Sequence, residues 1–292
     1  MSVKLDRTYV AVRRRGTLET FDLATQVMRD HGSRLLGLLF LGALPFALLN
    51  GLVLYRWITH ENYPAARLIL LCLVLLQAPF ATALITDYLG SIMFLKRASI
   101  NKSVRNGFAN FLKLFYLHGL LRLGLPGSIS FAVLSPEWNE DGTVAYSIFV
   151  LVPVLFLALL VRVFRPYVTE VVLLEKPQWA RQTNESSFAV RSRYLHMSGV
   201  AELVSQAIAF AFFVGLLSLC IGGLFENRNF VLGIANNPMY SVLLFDQLAL
   251  WIAAGFATVV RFLCYINLRI QQEGWDVELK LRAEGQKIID SI

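Results

Sequence analysis

Three ionisable side chains interrupt long apolar runs of this sequence: Asp87, His118 and Arg122. A charge in hydrocarbon is costly, so such residues serve a function or hold a partner of opposite charge. Asp87 lies nine residues before Lys96 and Arg122 nine residues after Lys113, which predicts a similar depth for both, about 13 Å along their helices. The pair is either a proton or ion relay or a clamp that fixes packing, and the clamp is favoured because a relay needs a chain of groups. His118, one turn before Arg122, extends the cluster or accepts one hydrogen bond.

The other candidate groups predict less chemistry. Glu170 and Glu202 lie near the ends of apolar runs, and Asp246 is expected at a hydrated outer end. The four histidines are scattered, and the three cysteines lie in apolar runs without metal-ligand or disulfide spacing. Signatures of nucleotide-binding loops, serine hydrolases and zinc proteases are lacking. The sequence therefore predicts a protein that is not an enzyme and that binds no metal or cofactor.

The apolar runs predict helices that cross a membrane. The 292 residues are 56% hydrophobic and 16% charged, with a mean hydropathy of +0.57, whereas a soluble domain carries roughly 25% charged residues. About 20 apolar residues in a helix cross the hydrocarbon core, and lipid excludes an open backbone. The fold class is therefore predicted to be all-α, a polytopic integral membrane protein with about six transmembrane helices. Their expected ranges are 35–55, 68–95, 111–134, 144–164, 199–224 and 241–263.

The distribution of basic residues predicts the orientation of these helices. Four segments, 1–34, 96–113, 162–198 and 261–292, contain 23 of the 27 Lys and Arg residues, and all four fall on one side of a six-helix bundle. By the positive-inside rule that side is cytoplasmic, and both chain ends lie there. The net charge of +7 is thereby explained by the membrane surface, without a nucleic-acid partner.

Three segments on the cytoplasmic side have amphipathic helical patterns, residues 17–32, 98–112 and 182–196. Each precedes a pair of predicted spans, which suggests three repeated units. A short likeness between residues 40–45 and 121–126 leaves this repeat undecided, because Leu, Gly and Pro are frequent in such spans.

The predicted organisation has three parts. Residues 1–33 form a cytoplasmic N-terminal segment with an amphipathic helix, residues 34–263 the transmembrane bundle, and residues 264–292 a cytoplasmic C-terminal helix. The last helix is expected to continue from the sixth span, because charged residues such as Arg269 and Glu273 recur at i, i+4 spacing.

The stretch from Tyr265 to Leu279 is the most distinctive string in the chain. It resembles the ending of a broad group of prokaryotic polytopic membrane proteins of unassigned function, whose pattern is Tyr-x-Asp-x-Arg-x-x-x-Glu-Gly-x-Asp-x-Glu. That group is similar to the membrane domain attached to some glycerophosphodiester phosphodiesterases. Residues 15–45 and the pair 174–175 also fit it. The motif positions here are Tyr265, Asn267 (in place of the usual Asp), Arg269, Glu273, Gly274, Trp275, Asp276 and Glu278.

The resemblance implies a bacterial cytoplasmic (inner) membrane and partners such as a MoxR-type ATPase, von Willebrand-type domain proteins or transglutaminase-like membrane proteins. The phosphodiesterase activity is not carried over, because the hydrolytic domain has no counterpart in this sequence. The leading hypothesis is a non-enzymatic scaffold, surrounded by membrane lipids, whose C-terminal motif docks a cytoplasmic or membrane partner. The alternative is a small transporter or lipid-handling permease that uses Asp87, His118 and Arg122.

Overall fold

The structure is a computed structural model that describes residues 16–58, 63–94, 99–122, 124–133, 165–175 and 241–273, with single positions between 153 and 227. All regular elements in these ranges are helices and none is a strand, which confirms the all-α class. The α-helices are α1 (Thr17–Ile58), α2 (Tyr63–Ala81), α3 (Ala83–Phe94), α4 (Ile100–Ala109), α5 (Phe111–Leu114), α6 (Gly124–Val133), α7 (Val168–Glu170) and α8 (Gln247–Glu273). The π-helical segments are Phe115–Leu121, Val171–Glu175 and Ser241–Asp246.

Helix α1 is a single helix of 42 residues, about 63 Å long. It contains both the amphipathic segment predicted at 17–32 and the first predicted span, so the two are not separate elements. Gly32 does not divide them, because one glycine costs a helix only about 1 kcal/mol relative to alanine. Val27 and Leu35, on either side of Gly32, are both buried in the same core, and this packing holds the helix together.

The exposed side of α1 changes composition after Arg34. Up to Arg34 its exposed side chains are polar or charged apart from Leu18, and from Leu36 to Tyr55 they are apolar or glycine. The apolar part covers 20 residues, which is about 30 Å and matches the thickness of the hydrocarbon core. The exposed apolar side chains with the largest areas are Phe40, Leu48, Leu52 and Tyr55.

Helices α2 and α3 take the place of the second predicted span and are bent by 42° where they meet. Pro79 explains the bend, because it lacks a backbone N–H and its ring crowds the carbonyl four residues earlier. Helix α1 crosses at this point, where a Cβ on Gly42 would overlap the carbonyl oxygen of Ala81. Glycine at position 42 therefore permits the close approach of the two backbones.

Helix α8 has 27 residues, about 40 Å, and continues the last predicted span without a break to its end at Glu273. It runs antiparallel to α1. Near its start the Gln247 side chain donates to the Ala47 carbonyl at 2.8 Å, and further along Gly255 faces the side chain of Leu39. The step from Gln247 to Gly255 along α8 equals the step back from Ala47 to Leu39 along α1, so the two pairs define one antiparallel register.

That register places the C-terminal half of α8 beside the N-terminal half of α1. Ile270 comes opposite Ala24, and both are buried. Phe262 of α8 and Val27 of α1 belong to the same core. The two helices thus stay packed together past the point where the exposed face of α1 becomes polar.

The core lies between α1, α2, α3 and α8. Its largest fully buried aliphatic side chains are Leu35, Leu38, Leu54, Leu70, Leu73, Leu76 and Ile85. A smaller cluster joins the start of α3 to α5 and to residues 168–173.

Two described helices, α1 and α8, are long and apolar enough to cross a membrane, and the bent pair α2–α3 makes a third if it is one span. This number is smaller than the six predicted. The predicted spans 144–164 and 199–224 and the amphipathic segment 182–196 lie almost entirely outside the described residues. The third predicted span is divided, since α5, a π-helical segment and α6 share its length. The amphipathic segment predicted at 98–112 contains α4.

Candidate functional site

Three side chains of α8, spaced four residues apart, form a stripe that faces two carboxylates. Arg261 Nε donates to Glu170 Oε1 at 2.7 Å, the Tyr265 hydroxyl donates to Glu175 Oε1, and Arg269 Nε lies 3.7 Å from that same oxygen. The guanidinium carbon of Arg269 is 5.9 Å from the centroid of the Tyr265 ring, within the range of a cation–π contact. These five residues are here named the ionic layer.

Glu170 and Glu175 face α8 together because the chain between them is π-helical. In an α-helix five residues advance about 1.4 turns, which would point the two carboxylates to different sides. The segment Val171–Glu175 instead follows the i→i+5 hydrogen-bond pattern. This wider turn brings Glu175 back to nearly the same side of the helix as Glu170. Single turns of this kind occur frequently at functional sites.

The inner part of the ionic layer is dry. Glu170 is fully buried, the side chain of Arg261 is 19% exposed, and the buried Tyr265 ring packs against Tyr167 with centroids 5.8 Å apart. Glu170 Oε2 and Arg261 Nη2 are buried without a hydrogen-bond partner among the described residues. Since a lone buried charge is strongly unfavourable, the contact between Glu170 and Arg261 offsets part of the cost of burying each of them.

A second polar group surrounds His118, which is fully buried in the π-helical segment Phe115–Leu121. Thr169 Oγ1 lies 3.0 Å from its Nε2, and Arg122 Nη1 lies 3.4 Å from its Nδ1. Arg122 also donates to the backbone carbonyl of Arg165. The structure therefore brings His118 and Arg122 together, as the sequence predicted, and attaches them to the segment that carries Glu170.

Asp87 has a different setting. It is 6% exposed, and its Oδ1 accepts from the Asn106 side chain of α4 at 3.4 Å. The next residue, Tyr88, receives a hydrogen bond from Arg34 Nη1 at 3.2 Å and packs edge-on against His31. Asp87 thus lies close to the level at which the exposed face of α1 changes from polar to apolar.

His118 is connected to the apolar part of α1 through the ring of Phe80. Its ring is 5.8 Å from that of Phe80, which in turn is 6.0 Å from Phe46 of α1. The contacts described for Asp87 and Arg122 give them different partners, and their equal depth stays a prediction from their spacing.

The C-terminal motif lies partly inside the described residues. Tyr265 is fully buried, Asn267 and Arg269 are half-buried, and α8 ends at Glu273. Tyr265 and Arg269 contact Glu175 within the fold, and the docking role expected for the motif stays a prediction. Gly274, Trp275, Asp276 and Glu278 lie outside the described residues, as does the side chain of Glu273.

Sequence reasoning missed the acidic half of the ionic layer. Glu170 looked like an edge residue, yet it is fully buried and paired with Arg261. The available signal was the spacing of Arg261, Tyr265 and Arg269 at i, i+4 and i+8 on an otherwise apolar helix, which requires acidic partners from another element. Their position in the sequence gives no indication of that element.

Polar contacts also occur toward the other end of the bundle. The Gln77 side chain donates to Asn50 Oδ1 at 2.8 Å, and both residues are buried between α1 and α2. Arg67 Nε donates to Asp246 Oδ2 at 2.8 Å, so the residue expected to be hydrated has a charged partner. Because the Arg67 side chain is 48% exposed, water screens this pair and it contributes little to stability.

The described residues contain no group of three or more His, Cys, Asp or Glu side chains that could hold a metal ion. The chain matches no family model, no curated protein and no solved structure. The contacts of the ionic layer and of His118 are suited to holding helices in a fixed arrangement.

Proposed function

We propose that this chain is a multi-pass protein of the bacterial cytoplasmic membrane, with about six spans and both ends in the cytoplasm, and that it acts as a non-enzymatic scaffold. The observation that carries the proposal is the change on the exposed face of α1 after Arg34. One continuous helix has about 30 Å of apolar exposed surface followed by a polar part, which is the pattern of a helix that leaves hydrocarbon for water.

The part of α1 before Leu36 then projects from the membrane. Residues 17–34 span about 27 Å, and the C-terminal half of α8 packs along them. We name this pair of half-helices, residues 17–34 and 261–273, the projection. The projection itself holds four basic and four acidic residues, so its cytoplasmic location is supported by the basic residues of the whole segments 1–34, 96–113, 162–198 and 261–292.

The ionic layer stiffens the projection on its α8 side. Three residues of the α8 stripe attach to Glu170 and Glu175, whose side chains are buried or nearly so. Ion pairs that are shielded from water and share several hydrogen bonds are suited to specifying one arrangement of helices. A rigid projection loses little entropy when a partner binds, which favours docking.

The outward face of the projection offers polar side chains to a partner. Asp22, Gln26, Arg29 and Ser33 are all exposed and lie on one side of α1 at i, i+4, i+7 and i+11. We propose this stripe, rather than the buried Tyr265 and Arg269, as the docking surface for a cytoplasmic protein partner. A MoxR-type ATPase is the candidate that the family resemblance suggests.

The test is affinity purification from native membranes in mild detergent, with mass spectrometry of the proteins retained. The charge swap Asp22→Arg/Arg29→Asp keeps the net charge and is expected to lose a reproducible partner. The control is the swap Arg67→Asp/Asp246→Arg, which reverses an ion pair toward the other end of the bundle and should retain it. A partner that survives the first swap, or a wild-type chain that purifies without any partner, would count against the scaffold.

A second candidate function is a small transporter or permease. The observation in its favour is the chain of buried polar contacts between Arg122, His118 and Thr169. The ring of Phe80 connects this chain to the apolar part of α1. A proteoliposome that takes up a solute, with uptake abolished by His118→Ala and by Asp87→Asn, would favour transport. Uptake that is unaffected by both variants would remove the relay form of this idea.

A further inference from the structure

We propose that α4 is an interfacial helix that binds anionic phospholipid at the surface of the membrane. The inference rests on the proposed membrane insertion of the chain. It assigns a surface and a partner that the scaffold proposal leaves unassigned, namely residues 100–113 and the headgroup layer of the cytoplasmic leaflet.

Helix α4 has three faces. The first face carries Ser103 and Gly107, which are buried, and Gly107 lies against Leu84 of α3. A Cβ at position 107 would overlap the Leu84 side chain, so the helix is seated on α3 as closely as its backbone allows. Asn106 adds the hydrogen bond to Asp87. The helix is therefore fixed in orientation on the rest of the protein.

The second face is apolar and exposed. Phe108 is 71% exposed, and Ile100 is exposed on the same side two turns earlier. The chain continues this surface into α5, where Phe111 and Leu112 are also exposed. An apolar surface of this kind is unfavourable in water and is typical of helices that rest on the acyl boundary of a membrane.

The third face is basic. Lys102 and Arg105 are exposed on the part of α4 that points away from its buried face, where Arg105 lies one turn before Phe108, and Lys113 is exposed in α5. The stretch from residue 99 to residue 114 contains no Asp or Glu. A basic face that adjoins an exposed apolar one fits an anionic lipid surface, where the basic side chains reach phosphate while the apolar groups enter the acyl layer.

The contacts of α4 place it at the predicted boundary. Asn106 binds Asp87, and the neighbouring Tyr88 receives a hydrogen bond from Arg34. Arg34 is the last polar exposed residue of α1 before its apolar surface begins at Leu36. The exposed face of α1 and the contacts of α4 with α3 are independent observations. Both indicate the same level for the lipid headgroups.

The experiment uses the full chain purified in detergent and measures binding of phosphatidylglycerol and of phosphatidylcholine by native mass spectrometry. The wild type is expected to bind phosphatidylglycerol at least fivefold more tightly, because each basic residue near an anionic surface adds to the attraction. Lys102→Gln/Arg105→Gln should lose most of this preference. The swap Lys102→Arg/Arg105→Lys keeps both charges and should preserve it.

A wild type without preference, or a Gln variant that keeps the full preference, would overturn the proposal. If the Gln variant does not fold, the proposal is tested on the wild type and on the charge-preserving swap. Their preference for phosphatidylglycerol must fall in 1 M salt, where charges are screened within about 3 Å. Alkaline carbonate treatment of membranes separates the two proposals. A chain that stays in the membrane without lipid preference contradicts only the present inference, and a chain released by carbonate contradicts membrane insertion as well.

Discussion

Arg261 Nε lies 2.7 Å from Glu170 Oε1, and the carboxylate that it holds is fully buried. The contact joins α8 to α7 through two residues that are 91 positions apart in the chain. The register between α8 and α1 places Arg261 opposite Ser33, close to the change from polar to apolar surface. One ion pair thus fixes two elements at the level where the proposed projection begins.

The first prediction concerns this pair. Glu170→Gln leaves the Arg261 guanidinium without a buried counter-charge, so we expect the free energy of unfolding to fall by about 3–5 kcal/mol. The measurement is reversible unfolding of the purified protein in mixed micelles. The double variant Glu170→Leu/Arg261→Met should recover much of the loss, because an apolar pair has no charge to desolvate. If the free energy of unfolding of Glu170→Gln is within about 1 kcal/mol of the wild-type value, the contact with Arg261 is not needed for stability.

The second prediction uses two glycines of α1. A Cβ at Gly42 meets the carbonyl oxygen of Ala81, whereas nothing lies within 4 Å of a Cβ at Gly37. Gly42→Ala should lower the free energy of unfolding by about 1–3 kcal/mol, since the two backbones must move apart. Gly37→Ala should be neutral or raise it by up to about 1 kcal/mol, as alanine is the better helix former. Equal effects of the two substitutions would contradict the packing of α1 on α2.

The third prediction concerns the buried amide pair Asn50 and Gln77. Asn50→Leu removes one partner and leaves Gln77 unsatisfied, with an expected loss of about 1–3 kcal/mol in the free energy of unfolding. The double variant Asn50→Leu/Gln77→Leu should be closer to the wild type, because no buried polar group is then left alone. Gln26→Leu on the exposed face of α1 is the control and should change the stability little. A double variant that is less stable than the single one would refute this account of the pair.

The fourth prediction separates an internal role of Tyr265 from a docking role. Tyr265→Phe removes the hydroxyl that binds Glu175 and should lower the free energy of unfolding by about 1.5–3 kcal/mol, the range for hydrogen bonds to charged groups. At equal amounts of folded protein, capture of a partner should be unchanged, because Tyr265 is fully buried. Loss of the partner with unchanged stability would return the residue to the docking surface.

The sequence predicts the helices better than it predicts their contacts. Apolar runs indicated α1, α2–α3 and α8, and the charge spacing indicated the continuation of α8 to Glu273. The fusion of residues 17–32 with the first span was missed, because a change from amphipathic to apolar pattern does not require a break when both parts bury the same side of one helix.

The contacts between elements could not be predicted in the same way. Asp87 and Arg122 have equal spacing from flanking lysines. That spacing gives no indication of their partners, which include Asn106 for Asp87 and the Arg165 carbonyl for Arg122. The role of Glu170 depends on a π-helical turn that has no signature in residue types. Which faces meet is decided by tertiary packing, whereas spacing along one element reports only which residues share a face.

The central claim is that the surface of the membrane crosses α1 near Arg34, and cysteine labelling tests it most directly. Single cysteines at Gln26, Ser33, Leu44 and Leu48, in a chain without its native cysteines, are treated in inside-out vesicles with a membrane-impermeant maleimide. All four positions are exposed in the described part of the chain, so the protection expected at 44 and 48 comes from lipid. The account predicts rapid labelling at 26 and 33 and none at 44 and 48 until detergent is added. Labelling at 44 and 48 as fast as at 26 would contradict it.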